Sequence, residues 1–133
     1  MNSAPVTERN VLRAYLEANR RVQATQNDGG QIMPIAILNT FLGAAIWGYE
    51  KGDLSEPATL EHLAERLGIT PTTLSTHMRY LGDKYREGKE GLGLVEMDIY
   101  PLNRRQKIFR LTPKGKALAA QLAYILEGAR PVS

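Results

Sequence analysis

The chain has 133 residues, 43% of them hydrophobic and 23% charged, with a formal net charge of +3. That is an ordinary globular composition, long enough for one domain with a buried core. Cysteine is absent, which excludes disulfides, thiolate zinc sites and cysteine nucleophiles.

The first ten residues, MNSAPVTERN, carry no apolar h-region of a signal peptide. A reducing compartment is permitted, and the expectation is a cytoplasmic protein. Residues 29–49 form an uncharged run long enough to qualify formally as a membrane-span candidate. Gly29, Gly30, Gln31, Pro34, Asn39 and Thr40 interrupt it. A central helix over 34–49, buried on most sides, accounts for it better. Phe41 and Trp47 are then core residues.

Ahead of that run, residues 5–26 predict a first helix. Val11, Tyr15, Ala18 and Val22 form its apolar stripe, Leu12 and Leu16 thicken it, and Asn27-Asp28-Gly29-Gly30 ends it. After the central helix, residues 51–57 read as a turn-forming connector.

The most informative stretch is TLEHLAERLGITPTTLSTHMRYLGDKYR, residues 59–86. Leu60, Leu63, Ala64 and Leu67 share one helical stripe, with Glu61, Glu65 and Arg66 opposite and Thr59 as N-cap. Gly68 closes this helix in the left-handed conformation. Ile69 plugs the angle between helices, and Thr70-Pro71 opens a second helix by hydroxyl cap and fixed proline φ. Leu74, Met78, Leu81 and Tyr85 are its expected inward stripe. Thr72, Thr73, Ser75, Thr76 and Arg79 lie outside. Short hydroxyl side chains at a helix N-terminus, with an arginine a turn further on, suit a helix entering a DNA major groove. A plain helical hairpin with a polar outer face is the bland alternative, and the helix-turn-helix pattern favours the DNA reading.

GKEGLG, residues 88–93, reads as a flexible charged loop. Residues 95–99 alternate as a half-buried strand, Pro101-Leu102-Asn103 turns the chain, and residues 106–111 return as the partner strand. The hairpin tip is Asn103-Arg104-Arg105. Thr112-Pro113 opens a last helix with the stripe Leu118, Leu122 and Ile125, widened by Tyr124 and Leu126 and ended by Gly128 and Pro131. Both terminal helices carry more apolar stripe than so small a core can bury, so they are expected to meet each other or a second chain.

Positive charge is concentrated. Residues 99–116 hold Arg104, Arg105, Lys107, Arg110, Lys114 and Lys116 without one acid, whereas the rest of the chain has eleven basic and fourteen acidic residues. A local +6 is the footprint of a phosphate-binding surface.

The order helix, helix-turn-helix, hairpin, helix is that of a winged helix. TLEHLAERLGITPTTLSTHMRYL followed by NRRQKIFRLTPKGKAL resembles the MarR family of bacterial transcription regulators, over residues 59–118 and more loosely over the N-terminal helices. The resemblance implies a mainly α (α+β) winged helix-turn-helix fold over residues 1–133, with dimerisation helices at 1–30 and 113–133, the helix-turn-helix at 59–86 and the wing at 93–112. It also implies a homodimer on a palindromic double-stranded DNA site, with a recognition helix beginning at Pro71 in the major groove and a wing arginine in the minor groove. The implied DNA-binding residues are Thr70, Thr72, Thr73, Ser75, Thr76, Arg79, Arg104, Arg105 and Lys107. Asn103 stands where the family usually has an aspartate, and the 82–93 link is longer than the family's. Many relatives release DNA on binding a small aromatic ligand, for which a pocket near Trp47 and Tyr49 is a candidate.

The expected function is a DNA-binding transcriptional regulator acting as a repressor. The alternative is a winged-helix module that binds protein. An enzyme is disfavoured: His62 and His77 are the only histidines, no converging acid-base or metal ligands are visible, and no cofactor is implied.

Overall fold

The computed structural model describes residues 3–25, 33–50, 56–86 and 88–129. These divide into two compact units, the described residues of Met1–Ile32 with those of Ala117–Ser133, and the described residues of Met33–Lys116. The expected turn at 27–30, most of the connector at 51–57, and Pro131 lie outside the described residues.

The larger unit is a winged helix-turn-helix, mainly α with small antiparallel hairpins. Its helices are α2 (Ile35–Trp47), α3 (Leu60–Leu67) and α4 (Pro71–Leu81). Local chemistry sets their ends. Thr59 Oγ1 accepts the His62 N–H, and His62 Nδ1 accepts the Thr59 N–H in return, a capping box with histidine in the third position. Gly68 closes α3 at φ 69°. Thr70 caps α4 through the Thr73 N–H, with Pro71 in its first turn.

α2 is buried on one face only, contrary to the expectation that most of it would be covered. Ile37, Thr40, Phe41 and Ala44 face inward, while Ile35, Leu42 and Ile46 remain exposed. The core gathers Phe41, Leu63, Leu74, Met78, Leu81, Leu94, Ile108 and Phe109, all essentially inaccessible to solvent. Burial of each contributes about 1.5–3 kcal/mol before the entropy of ordering is counted.

The wing is β3 (Val95–Ile99) paired antiparallel with β4 (Lys107–Leu111), in a register that places Glu96 opposite Arg110 and Ile99 opposite Lys107. Thr59 adds a single bridge to Ile108, so the cap of α3 is pinned to the tip-side half of β4.

The expected extension of the recognition helix to Tyr85 is not met. α4 stops at Leu81, the residues expected to continue it form β1 (Lys84–Arg86), and β1 pairs with β2 (Lys89–Glu90), which falls in the stretch read as a flexible loop. The reason lies in the backbone just beyond. The N–H groups of Gly91, Leu92, Gly93 and Leu94 donate to the carbonyls of Asp83, Tyr80, Gly82 and Leu81, at 2.7–3.0 Å. The returning chain thus takes up the carbonyls that another helical turn would have used. So close an approach requires glycine at 91, where a Cβ would lie 2.1 Å from the Gly82 carbonyl oxygen.

The same segment anchors α5 (Pro113–Glu127). Thr112 donates its hydroxyl to the Gly93 carbonyl and its N–H to that of Leu94, and its Oγ1 caps the Gly115 N–H.

In the smaller unit, α1 (Ser3–Gln23) and the rest of α5 are joined by a hydrogen bond from Arg21 Nε to Gln121 Oε1. The buried face of α1 is Ala14, Ala18 and Val22, not the larger stripe expected. Val11, Leu12, Tyr15 and Leu16 are about half exposed or more, as are Tyr124 and Leu126 of α5. Leu118 and Leu122 are buried as expected. Among the described residues, no helix is long and apolar enough to cross a membrane.

Candidate nucleic-acid interface

The site is built from two elements of the larger unit. On α4 the 3.6-residue period sends Leu74, His77, Met78 and Leu81 into the core and leaves Thr72, Thr73, Ser75, Thr76 and Arg79 in solvent. Some of these hydroxyls already have work within the helix. Thr70 donates to Thr73 Oγ1 at 3.0 Å, and Thr76 donates to the Thr72 carbonyl. The Ser75 and Thr72 side chains make no hydrogen bond among the described residues. Arg79 lies along its own helix, with Nε 3.4 Å from the Ser75 carbonyl.

The second element is the wing. Its tip, residues 100–106, is held by a small hydrogen-bond set. Tyr100 N–H donates to Gln106 O, Asn103 N–H to Tyr100 O, and Gln106 N–H to Asn103 O. Asn103 Oδ1 accepts the Arg105 N–H at 3.2 Å. Asparagine therefore shapes this tip by an Asx turn, with no charge for an arginine to pair with.

Helix and wing converge. Ser75 and Arg79 of α4, Arg105 and Lys107 of the wing, and Thr59 to Glu61 at the start of α3 line one cleft of about 410 Å³, floored by Leu74 and Met97. Three cations face a single Glu61 there, and all four side chains are exposed. The arrangement suits a linear polyanion laid between helix and wing.

The local +6 read from the sequence is not all available to such a partner. Arg110 pairs with Glu96 across the hairpin, and its guanidinium lies 5.8 Å from the centre of the Tyr49 ring. Burial raises the Tyr49 phenol above its ordinary pKa, and Arg110 opposes that rise. Lys116 pairs with Glu50 at 3.2 Å, and Lys114 donates to the Leu92 carbonyl. Arg104, Arg105 and Lys107 form no ion pair among the described residues. The acids Glu50 and Glu96 lie outside the all-basic window, which is why charge counting within it overstated the patch.

Neither histidine stands with other ligating groups. His62 caps α3, and His77, only 8% exposed, lies with Nδ1 2.9 Å from Thr40 Oγ1 on α2. Among the described residues, no group of three or more His, Asp and Glu side chains gathers as a metal site would. Trp47 is half-buried beneath the Arg66 guanidinium, 4.9 Å from the ring centre.

No protein-family model and no curated protein matches the chain. Among solved structures, Bordetella bronchiseptica BpsR, described for the regulation of its DNA binding by 6-hydroxynicotinic acid, is similar at 19% identity with a TM-score of 0.48. The match covers 88% of this chain and 75% of that one. Identity and score of that size leave function to be argued from the chain's own geometry.

Proposed function

We propose that the protein is a transcriptional regulator that binds double-stranded DNA as a homodimer on a palindromic site and represses. The observation that carries this reading is the shared cleft, where Arg79 of the recognition helix and Arg105 and Lys107 of the wing face one exposed groove. Such a groove matches a phosphate backbone passing between a helix in the major groove and a wing in the minor groove. Thr72, Ser75, Thr76 and Arg79 are then placed toward base edges, Thr70 and Thr73 hold the helix N-terminus, and Arg104 follows the minor groove with Arg105. The dimer part rests on the exposed apolar side chains of α1 and α5. Release by a small aromatic effector belongs to the reading on the strength of the sequence resemblance alone.

Selection of duplexes from a random pool, followed by fluorescence anisotropy over a salt series, tests it. The expected result is enrichment of a two-fold symmetric sequence and an affinity that falls steeply with salt. Enrichment of nothing, with no salt-dependent binding, would leave the protein-binding alternative.

A further inference from the structure

We propose that Leu102 is an apolar wedge, which the wing tip inserts between base pairs from the minor groove while Arg104 and Arg105 hold the flanking backbone. The inference rests on the DNA-binding reading above and adds a mode of contact to it.

Leu102 is 80% exposed. The hydrogen bond from Asn103 N–H to Tyr100 O, 3.1 Å, makes residues 100–103 a β-turn with Pro101 second and Leu102 third. Proline suits the second position because its φ is already fixed, and Leu102 in third place keeps a negative φ, as a type I turn allows for most residues, so the turn has no need of a leucine in particular. A leucine there gives the turn no hydrogen bond and buries almost none of its own surface. The turn tolerates leucine without calling for it, and packing in the free chain does not account for it. The turn is also tied to the residues that follow: the Asn103 carbonyl accepts from the Gln106 N–H and its side chain from the Arg105 N–H.

What surrounds the apex selects the partner. Arg104, Arg105 and Lys107 are exposed and form no ion pair among the described residues. The tip is therefore apolar at its point and cationic along the limb that follows it. A minor groove has the complementary form, with two phosphate rims around a slot whose floor opens onto the base stack. Leucine is among the side chains that enter such steps, partly unstacking them and bending the duplex. An anionic membrane has a similar layering, but Arg105 and Lys107 share their cleft with Arg79 of the recognition helix, which sets the tip beside a surface shaped for a duplex.

The test uses the full chain and a duplex enriched by the wild-type protein from a random pool, with 2-aminopurine replacing single adenines across each flank. Wild type should raise the fluorescence at one step per half-site, the signature of unstacking. Leu102→Ala should abolish that rise and weaken binding about three- to tenfold, from the apolar surface removed. It should leave the dependence on salt unchanged, because no charge is lost. Leu102→Met should keep both signals. Unaltered affinity and fluorescence in Leu102→Ala, while Arg104→Ala/Arg105→Ala still weakens binding, would overturn the wedge and spare the DNA reading. So would weaker binding with the fluorescence rise intact, or loss in Leu102→Ala of binding to phosphatidylserine vesicles alone. A wild-type protein that enriches no duplex would overturn both.

Discussion

The imidazole Nδ1 of His77 lies 2.9 Å from Thr40 Oγ1, joining the inner face of α4 to α2 at a point where both residues are buried. Thr40 in turn donates to the Ala36 carbonyl at 3.2 Å. Burial lowers the His77 pKa below its ordinary value, because the charged ring would lose its hydration. The unfolded chain therefore takes up this proton first as pH falls. Stability from the neutral ring is fully present above about pH 6.5 and is lost on acidification toward the lower folded-state pKa. Thermal unfolding from pH 7.5 to 5 should show a decline below about 6.5 that is shallower in His77→Gln. Parallel curves for the two proteins would remove His77 as its source.

Gly91 should tolerate no side chain. A Cβ there would sit 2.1 Å from the Gly82 carbonyl oxygen and 2.7 Å from that of Arg79, both backbone atoms that cannot rotate away. Gly91→Ala is expected to destabilise by about 3 kcal/mol, the upper end for overpacking, because it separates the returning chain from the end of α4. Gly88 has open space around its missing Cβ and a φ of 76°. Gly88→Asn should therefore cost under about 1 kcal/mol. Urea midpoints of the two variants give the comparison.

These residues mark the line between what the sequence discloses and what it does not. As caps, Thr59, Gly68, Thr70-Pro71 and Thr112-Pro113 act on groups one to four residues away, so the helix starts and the α3–α4 turn were legible, as was the alternation of the wing strands. The end of α4 was not. Tyr85 fits the helical period, yet the carbonyls of Tyr80 and Leu81 are taken by Leu92 and Leu94 from a segment that local patterning cannot place. The pairs Glu96–Arg110 and Glu50–Lys116 escaped for the same reason, and they alter the electrostatics of the site. Arg79 and the wing cations each carried a signal, but nothing in their spacing along the chain showed that they line one cleft.

The association reading is open to direct measurement. Leu12, at 68% exposed, and Leu16, at 55%, lie one helical turn apart on α1. Sedimentation at micromolar concentration should give a dimer for wild type and a monomer for Leu12→Glu/Leu16→Glu. Replacing exposed residues should barely perturb the fold itself. A wild-type monomer would end the proposal of a homodimer, and a dimeric double variant would move the interface elsewhere.

Arg79 is the charged side chain on the outer face of α4, and it also borders the cleft shared with the wing. If it reaches a guanine edge, Arg79→Ala should weaken binding to the selected duplex by about 1–3 kcal/mol and relax base preference at one position per half-site. Ser75→Ala should lose less. Equal weakening on selected and random duplexes would instead assign Arg79 to a phosphate.

The charges of the basic window, residues 99–116, should divide into two groups under a salt series. Arg110 and Lys116 already have carboxylate partners within the protein, whereas Arg104 and Arg105 meet none among the described residues. Only a cation that displaces condensed counterions from DNA contributes to the salt dependence, about −0.9 in the slope of log K against log salt for each phosphate neutralised. Arg104→Ala/Arg105→Ala should therefore flatten that slope by roughly one to two units and weaken binding to selected and random duplexes together. Lys116→Ala removes the same kind of charge from the same basic window, yet it should leave the slope unchanged, because its partner is Glu50. A slope that responds equally to both changes would mean that total charge governs binding. A slope that responds to neither would place the wing away from the duplex.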